Sequence, residues 1–195
     1  MDYLNNIQNA DKLMIIAHPD DETFWASSQL FKGGYFVVCM TNARNKVRSA
    51  EFKQVLELTG NTGYMFEYSD GYTNWRKKNR IEIQEKLTQI IQAKDWQKIV
   101  THNSSGEYGH PHHKNLNKIV VDICLHHNAL DKLHHFGTYY SKRKLAKIKA
   151  SLPTLDNNAY IKKQELISIY KSQTGSLRRH GHMMLSECIS RQDEL

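Results

Sequence analysis

The sequence predicts an α/β fold in which a mostly parallel sheet is covered by helices on both faces. Three observations carry this expectation. Short apolar runs alternate along the chain with longer segments of helical period, the rhythm of repeated β-α-β units. The first run, Leu13-Met14-Ile15-Ile16, is apolar without alternation, as a strand buried on both sides requires. The 195 residues are 39% apolar with no shift of composition along them, which argues for one core and one domain, 1–195.

In order, Leu13 to Ala17 is the first strand, and Phe24 to Lys32 a helix closed by Gly33-Gly34. Tyr35 to Met40 is the second strand. Phe52, Val55, Leu56 and Thr59 fall at i, i+3, i+4 and i+7, one face of a helix that stops at Gly60. Tyr64 to Tyr68 reads as a third strand, followed by the turn signal Ser69-Asp70-Gly71. Ile83, Leu87, Ile90 and Ile91 mark another amphipathic helix, and Lys98 to Thr101 a fourth strand. Beyond Ser104-Ser105-Gly106, one helix face carries Leu116, Ile119, Val120 and Ile123, and the aromatic run Phe136 to Tyr140 is the candidate fifth strand. Residues from about 141 to 195 read as irregular and largely helical.

Several classes are disfavoured. No apolar run approaches the roughly 18 residues of a membrane span, and Met1 to Asn6 lacks the form of a signal peptide. Cys39, Cys124 and Cys188 are an odd number with no C-x-x-C pair, which fits a reducing compartment; the expected location is cytoplasmic. Gln192-Asp193-Glu194-Leu195 is similar to an ER-retention tail, but without an entry signal that address is not read. There is no G-x-G-x-x-G or Walker loop, so no nucleotide cofactor is indicated. The net charge of +7 favours anionic partners, including an acidic membrane surface. The cluster Lys142, Arg143, Lys144, Lys147 and Lys149 has no nucleic-acid signature beside it and reads as a solvated face.

The polar clusters all follow strands: His18 to Glu22, Thr41 to Arg48, Asp70, and His102 to His113. In open α/β sheets ligands bind beyond the carboxyl ends of the strands, so these four loops build one pocket. An imidazole and three carboxylates at the end of a buried strand are costly to desolvate unless something there needs them, and a metal ion is that something. His18 and Asp21, three apart in a tight turn, can approach one ion at about 2.0 to 2.2 Å. Gly109-His110-Pro111-His112-His113 offers a third ligand, of which His113 is our choice. Two His and one carboxylate leave a position open for water, and zinc suits such a set, although iron or cobalt also fits. Asp20 points away from the ion that Asp21 binds but can reach a water there, the place of a general base.

The hexapeptide Ala17-His18-Pro19-Asp20-Asp21-Glu22, with the later Gly109-His110-x-x-His113, resembles the zinc-dependent de-N-acetylases of the PIG-L or LmbE-like family. Arg48-x-x-Glu51, Asp70-Gly71, Thr101-His102 before Gly106-Glu107-Tyr108, and Tyr170-Lys171-Ser172-Gln173 extend the resemblance over most of the chain. It implies a Rossmann-like fold and removal of an acetyl group from an N-acetylglucosamine-type sugar or its phosphate-, nucleotide- or lipid-linked conjugate. It further implies zinc on His18, Asp21 and His113, Asp20 as base, His110 as oxyanion or leaving-group partner, and Arg48 and Asp70 as sugar contacts.

One departure is visible. Relatives usually carry Asp between the two histidines, where this chain has His112, and an imidazole neither favours a charged His110 nor fixes its tautomer as a carboxylate does. Plainer readings stand beside the functional ones. The acidic turn can cap a helix, Arg48 and Glu51 can form an i,i+3 ion pair, and Tyr170 and Gln173 can pack and cap a helix. The pairs His126-His127, His134-His135 and His180-x-His182 lack ligand partners in sequence and read as structural or solvated. An amidase acting on another small N-acyl substrate, and a non-catalytic basic binding module that keeps the metal scaffold, are the alternative functions.

Overall fold

The structure is a computed structural model that describes residues 7–71, 75–148 and 151–192. Residues 1–6 and 193–195, on which the leader and retention-tail readings rest, and Lys149 of the basic cluster lie outside the described residues.

Six strands form one sheet, β1 (Lys12–Ile16), β2 (Tyr35–Thr41), β3 (Thr62–Tyr68), β4 (Lys98–Thr101), β5 (Leu133–Phe136) and β6 (Ile189–Arg191), in the order β3-β2-β1-β4-β5-β6. All pairings are parallel except β5 with β6. The helices are α1 (Asp21–Leu30), α2 (Lys46–Leu58), α3 (Lys77–Gln92), α4 (Pro111–His126), α5 (Lys142–Ile148), α6 (Asn157–Ile169) and α7 (Thr174–His180). Alternate residues of β1 face opposite layers: Leu13 and Ile15 pack with α3 and α4, whereas Met14 and Ile16 pack with α1, α2 and α6. This is the predicted three-layer arrangement, and it explains the unbroken apolar run. The chain works outward from β1 to β3, then crosses to β4 and β5, so the order reverses between β1 and β4 and a crevice opens at their carboxyl ends. No helix among the described residues is long and apolar enough to cross a membrane.

The structure corrects several sequence-based boundaries. The fifth strand is Leu133–Phe136, not Phe136 to Tyr140. Its centre is the fully buried His135, whose Nδ1 lies 2.9 Å from the His102 carbonyl oxygen and 3.1 Å from Asn117 Nδ2, so a polar residue with partners occupies a core position that apolar patterning passes over. Helix α1 starts at Asp21 rather than Phe24, because the acidic pair Asp21-Glu22 sits in its first turn, where the helix dipole favours negative charge. The C-terminal portion is helical as expected through α5, α6 and α7, but it returns to the sheet as β6, which the sequence did not suggest.

That C-terminal portion holds a buried ion pair whose carboxylate also ties it to α1. Lys163 Nζ lies 3.2 Å from Glu187 Oε2, both side chains being almost fully enclosed, and Glu187 also accepts from Ser27 Oγ at 2.8 Å and Ser28 N at 2.7 Å. Burial lowers the Lys163 pKa, opposed by the Glu187 charge. Removing one member strands the other charge, so Lys163→Met is expected to cost about 3–5 kcal/mol in urea unfolding, with part recovered in Lys163→Met/Glu187→Gln. A single-variant cost of about 1 kcal/mol, typical of exposed pairs, would contradict this.

Candidate active site

The crevice is a cavity of about 160 Å³ whose walls include His18, Asp20, Asp21, Arg48, Asp70 and His110, six of the seven residues singled out from sequence. The seventh, His113, is fully buried beneath it, its Nε2 3.1 Å from His18 Nδ1. Four loops at the carboxyl ends of β1 to β4 deliver these groups, with α4 continuing from the last.

Asp20 precedes α1 at φ 122°, ψ −24°, a strained conformation for a residue with a Cβ. The turn it makes lets the Asp21 carboxylate fold back, accepting the His18 amide at 2.8 Å. Glu22, fully buried, accepts from Asp20 N at 3.2 Å, Thr23 Oγ1 at 2.7 Å and Tyr170 Oη at 2.5 Å, so the acidic run is fastened from behind. Tyr170, expected to pack a helix end, therefore also supports the site across the two halves of the chain. Arg48 is not paired with Glu51: its Nη1 donates to Asp70 Oδ2 at 2.6 Å and its Nη2 to the Pro19 carbonyl at 2.8 Å, while Glu51 accepts from Ser172 N and Oγ.

Three sets of ligand-type atoms approach one another here: those of His18, His110 and His113, of His18, Asp70 and His112, and of Asp21, His102 and His113. His18, Asp21 and His113, the three residues expected from sequence, all appear in these sets, and hydrogen bonding shows which ring atoms each can offer. His102 Nε2 accepts the Ala17 amide at 3.0 Å, so its Nδ1 carries the hydrogen donated to Glu107 Oε2 at 2.9 Å. His110 Nδ1 accepts the His112 amide at 3.2 Å, the N-cap bond of α4. His113 Nδ1 bonds Glu107 Oε2 at 2.5 Å, which turns its Nε2 toward His18 and Asp21. His18 Nδ1, Asp21 Oδ2 and His113 Nε2 are then separated by 3.1, 3.3 and 3.4 Å. A tetrahedral ion bound at about 2.0 to 2.1 Å has ligand atoms about 3.3 to 3.4 Å apart, so this triangle fits zinc in spacing and donor type.

Without an ion, burial opposes the charged form of His113, but Asp21 and Glu107 outweigh it and raise its pKa to about 10. Burial opposes the charged form of Asp21, but His113 and His102 outweigh it and hold the carboxyl well below its usual range. Burial likewise opposes the charged form of Glu107, yet His102 and His113 bring it down to about 2. Burial, and then the Asp21 charge, push Asp20 well above the usual range, making it the better proton acceptor of the pair. Burial, with His18 and His113 nearby, lowers His110 to about 3, so its ring is neutral at pH 7, with the hydrogen on Nε2.

Several site groups were not assigned a role from sequence. Glu107, at φ 52°, is aimed by a loop in which a Cβ on Gly106 would meet the His110 carbonyl oxygen at 2.8 Å; an acid just before a histidine pair was an available signal. His180, expected to be structural or solvated, is buried in the cavity wall and stacked on Tyr108 at 4.1 Å, beside Phe24 and Trp25. Gln173, expected to cap a helix, lines the same wall. Nothing near His180 in the sequence marks it, because its partners lie far away along the chain.

The profile of the PIG-L family, described as GlcNAc-PI de-N-acetylase, matches residues 13–124. A protein of Acanthamoeba polyphaga mimivirus is 34% identical over 138 residues, 61% of this chain and 60% of that one, so the chain spans about 60% of that relative's length. Among solved structures, an A40926 pseudoaglycone deacetylase superposes with a TM-score of 0.66 at 14% identity, covering 91% of this chain and 88% of the other. The zinc-inhibited form of a teicoplanin deacetylase gives 0.63 at 13%, covering 89% and 88%. The 4-carboxy-2-hydroxymuconate hydratase of Pseudomonas putida gives 0.59 at 12%, covering 89% and 84%, so the same fold carries a second chemistry. With the family profile matching more than half of its residues, this chain belongs to the PIG-L family.

Proposed function

We propose that the protein is a metal-dependent de-N-acetylase that hydrolyses the acetamido group of an N-acetylglucosamine-type sugar or its conjugate. The triangle of His18 Nδ1, Asp21 Oδ2 and His113 Nε2, whose spacing suits a tetrahedral ion, is the observation that carries this reading. Family membership supports the reaction class. A divalent ion held by these three residues, zinc being the best match, supplies a Lewis acid that acidifies a water and polarises the acetyl carbonyl.

The protein's own groups then divide the remaining work. Asp20, set beside the triangle by its strained turn, takes a proton from the attacking water as the oxygen bonds to the acetyl carbon. His110 offers Nε2–H to the carbonyl oxygen as negative charge grows there. The C–N bond breaks when the nitrogen receives the proton, releasing acetate and a free amine. Arg48 and Asp70, joined at 2.6 Å on the rim, meet sugar hydroxyls, and the wall of Trp25, Tyr108 and His180 faces the apolar side of the ring. The net charge of +7 suits a phosphate-, nucleotide- or lipid-linked sugar, and the cysteine pattern suits the cytoplasm. Nucleic acid is not a partner in this reading.

Zinc analysis combined with acetate release across free, nucleotide-linked and lipid-linked N-acetylhexosamines is the direct test. Asp20→Asn is expected to keep about one zinc per chain while turnover falls by roughly 10²–10⁴-fold; wild-type turnover in that variant would remove Asp20 as base. His110→Ala is expected to lower kcat by roughly 10²–10³-fold with little change in KM. A zinc-loaded protein that releases no acid from any acylated amine, yet binds nucleic acid in a salt-dependent way, would instead indicate a binding module.

A further inference from the structure

The second face of His18 leads to His112. His18 uses Nδ1 toward Asp21 and His113, and its Nε2 lies 3.1 Å from His112 Nδ1 and 3.2 Å from Asp70 Oδ1. A neutral imidazole that keeps Nδ1 unprotonated must carry its hydrogen on Nε2, and here two acceptors meet that hydrogen. They are not equivalent. Asp70 is partly exposed, and its other oxygen is shared between Arg48 Nη1 at 2.6 Å and Asn42 Nδ2 at 2.8 Å. His112 is 1% exposed and held flat against Trp75, with ring centroids 4.3 Å apart and planes 13° apart. Trp75 is itself anchored, its Nε1 donating to the Ser69 carbonyl at 2.9 Å.

We propose that His112 is a positioning residue for His18: its Nδ1, clamped by Trp75, accepts the Nε2 hydrogen of His18 and so fixes the ring and tautomer that present Nδ1 to the metal. His113 has the same arrangement through Glu107, which bonds its Nδ1 at 2.5 Å. Each imidazole of the triangle thus has its far nitrogen held by a buried acceptor, Glu107 for one and His112 for the other. Outer partners of this kind commonly change metal affinity by about 10- to 100-fold.

The inference rests on the metal reading of the site, and the test separates the two. Zinc affinity of the full chain is measured by competition with a chromophoric chelator for wild type, His112→Phe and His112→Asn, alongside the unfolding midpoints of the metal-free proteins. Phe keeps the stack on Trp75 but removes the acceptor, whereas Asn restores an acceptor near the Nδ1 position. His112→Phe is expected to bind zinc about 10- to 100-fold more weakly, with Asn recovering most of the loss. Should Phe fail to fold, His112→Gln, whose amide lies beyond the Nδ1 position, replaces it with the same expected weakening. Wild type that takes up no zinc would overturn the metal reading and this inference with it. Wild type that binds one zinc while Phe or Gln binds equally well, or Asn as weak as Phe, would overturn the role of His112 alone.

Discussion

The site depends on one buried carboxylate, Glu107, shared between two imidazoles. Its Oε2 bonds His113 Nδ1 at 2.5 Å and His102 Nδ1 at 2.9 Å, and its Oε1 accepts the Asn103 amide at 2.9 Å. A buried carboxylate with no partners would be neutralised or expelled. Satisfied in this way it stays charged, orders two tautomers at once, and joins the end of β4 to the start of α4. His102 in turn receives the Ala17 amide, which fixes the end of β1 and the turn carrying His18, Asp20 and Asp21. The two loops on either side of the reversal in strand order are thereby held by one hydrogen-bonded chain.

The C-terminal portion completes the cavity rather than decorating it. Tyr170 bonds Glu22, Ser172 bonds Glu51, and Lys163 pairs with Glu187 against α1. These bonds bring His180 over Tyr108 and close the aromatic wall. The profile match ends at residue 124, so Trp25 and Tyr108 of this wall lie within the matched residues and His180 lies beyond them.

Much of the fold was legible in the sequence because its signals are periodic: unbroken apolar runs for β1 and β2, and i, i+3, i+4 faces for α2, α3 and α4. That the seven expected residues gather in one place was legible because sheet topology delivers strand-end loops to one edge. What escaped was polar and non-local. β5 was displaced because His135 occupies a core position, β6 because three residues carry no period, and His180 because only tertiary packing brings it to the cavity. His112 was visible as a departure, but its contact with the far side of His18 required the geometry of the first turn of α4.

The proposed reaction depends most directly on where a metal sits. Crystals of the zinc-loaded protein, measured by anomalous scattering at the zinc edge, are expected to show one peak within about 2.0 to 2.2 Å of His18 Nδ1, Asp21 Oδ2 and His113 Nε2. A peak between His18 Nε2, Asp70 and His112, or no zinc in the crevice at all, would contradict it.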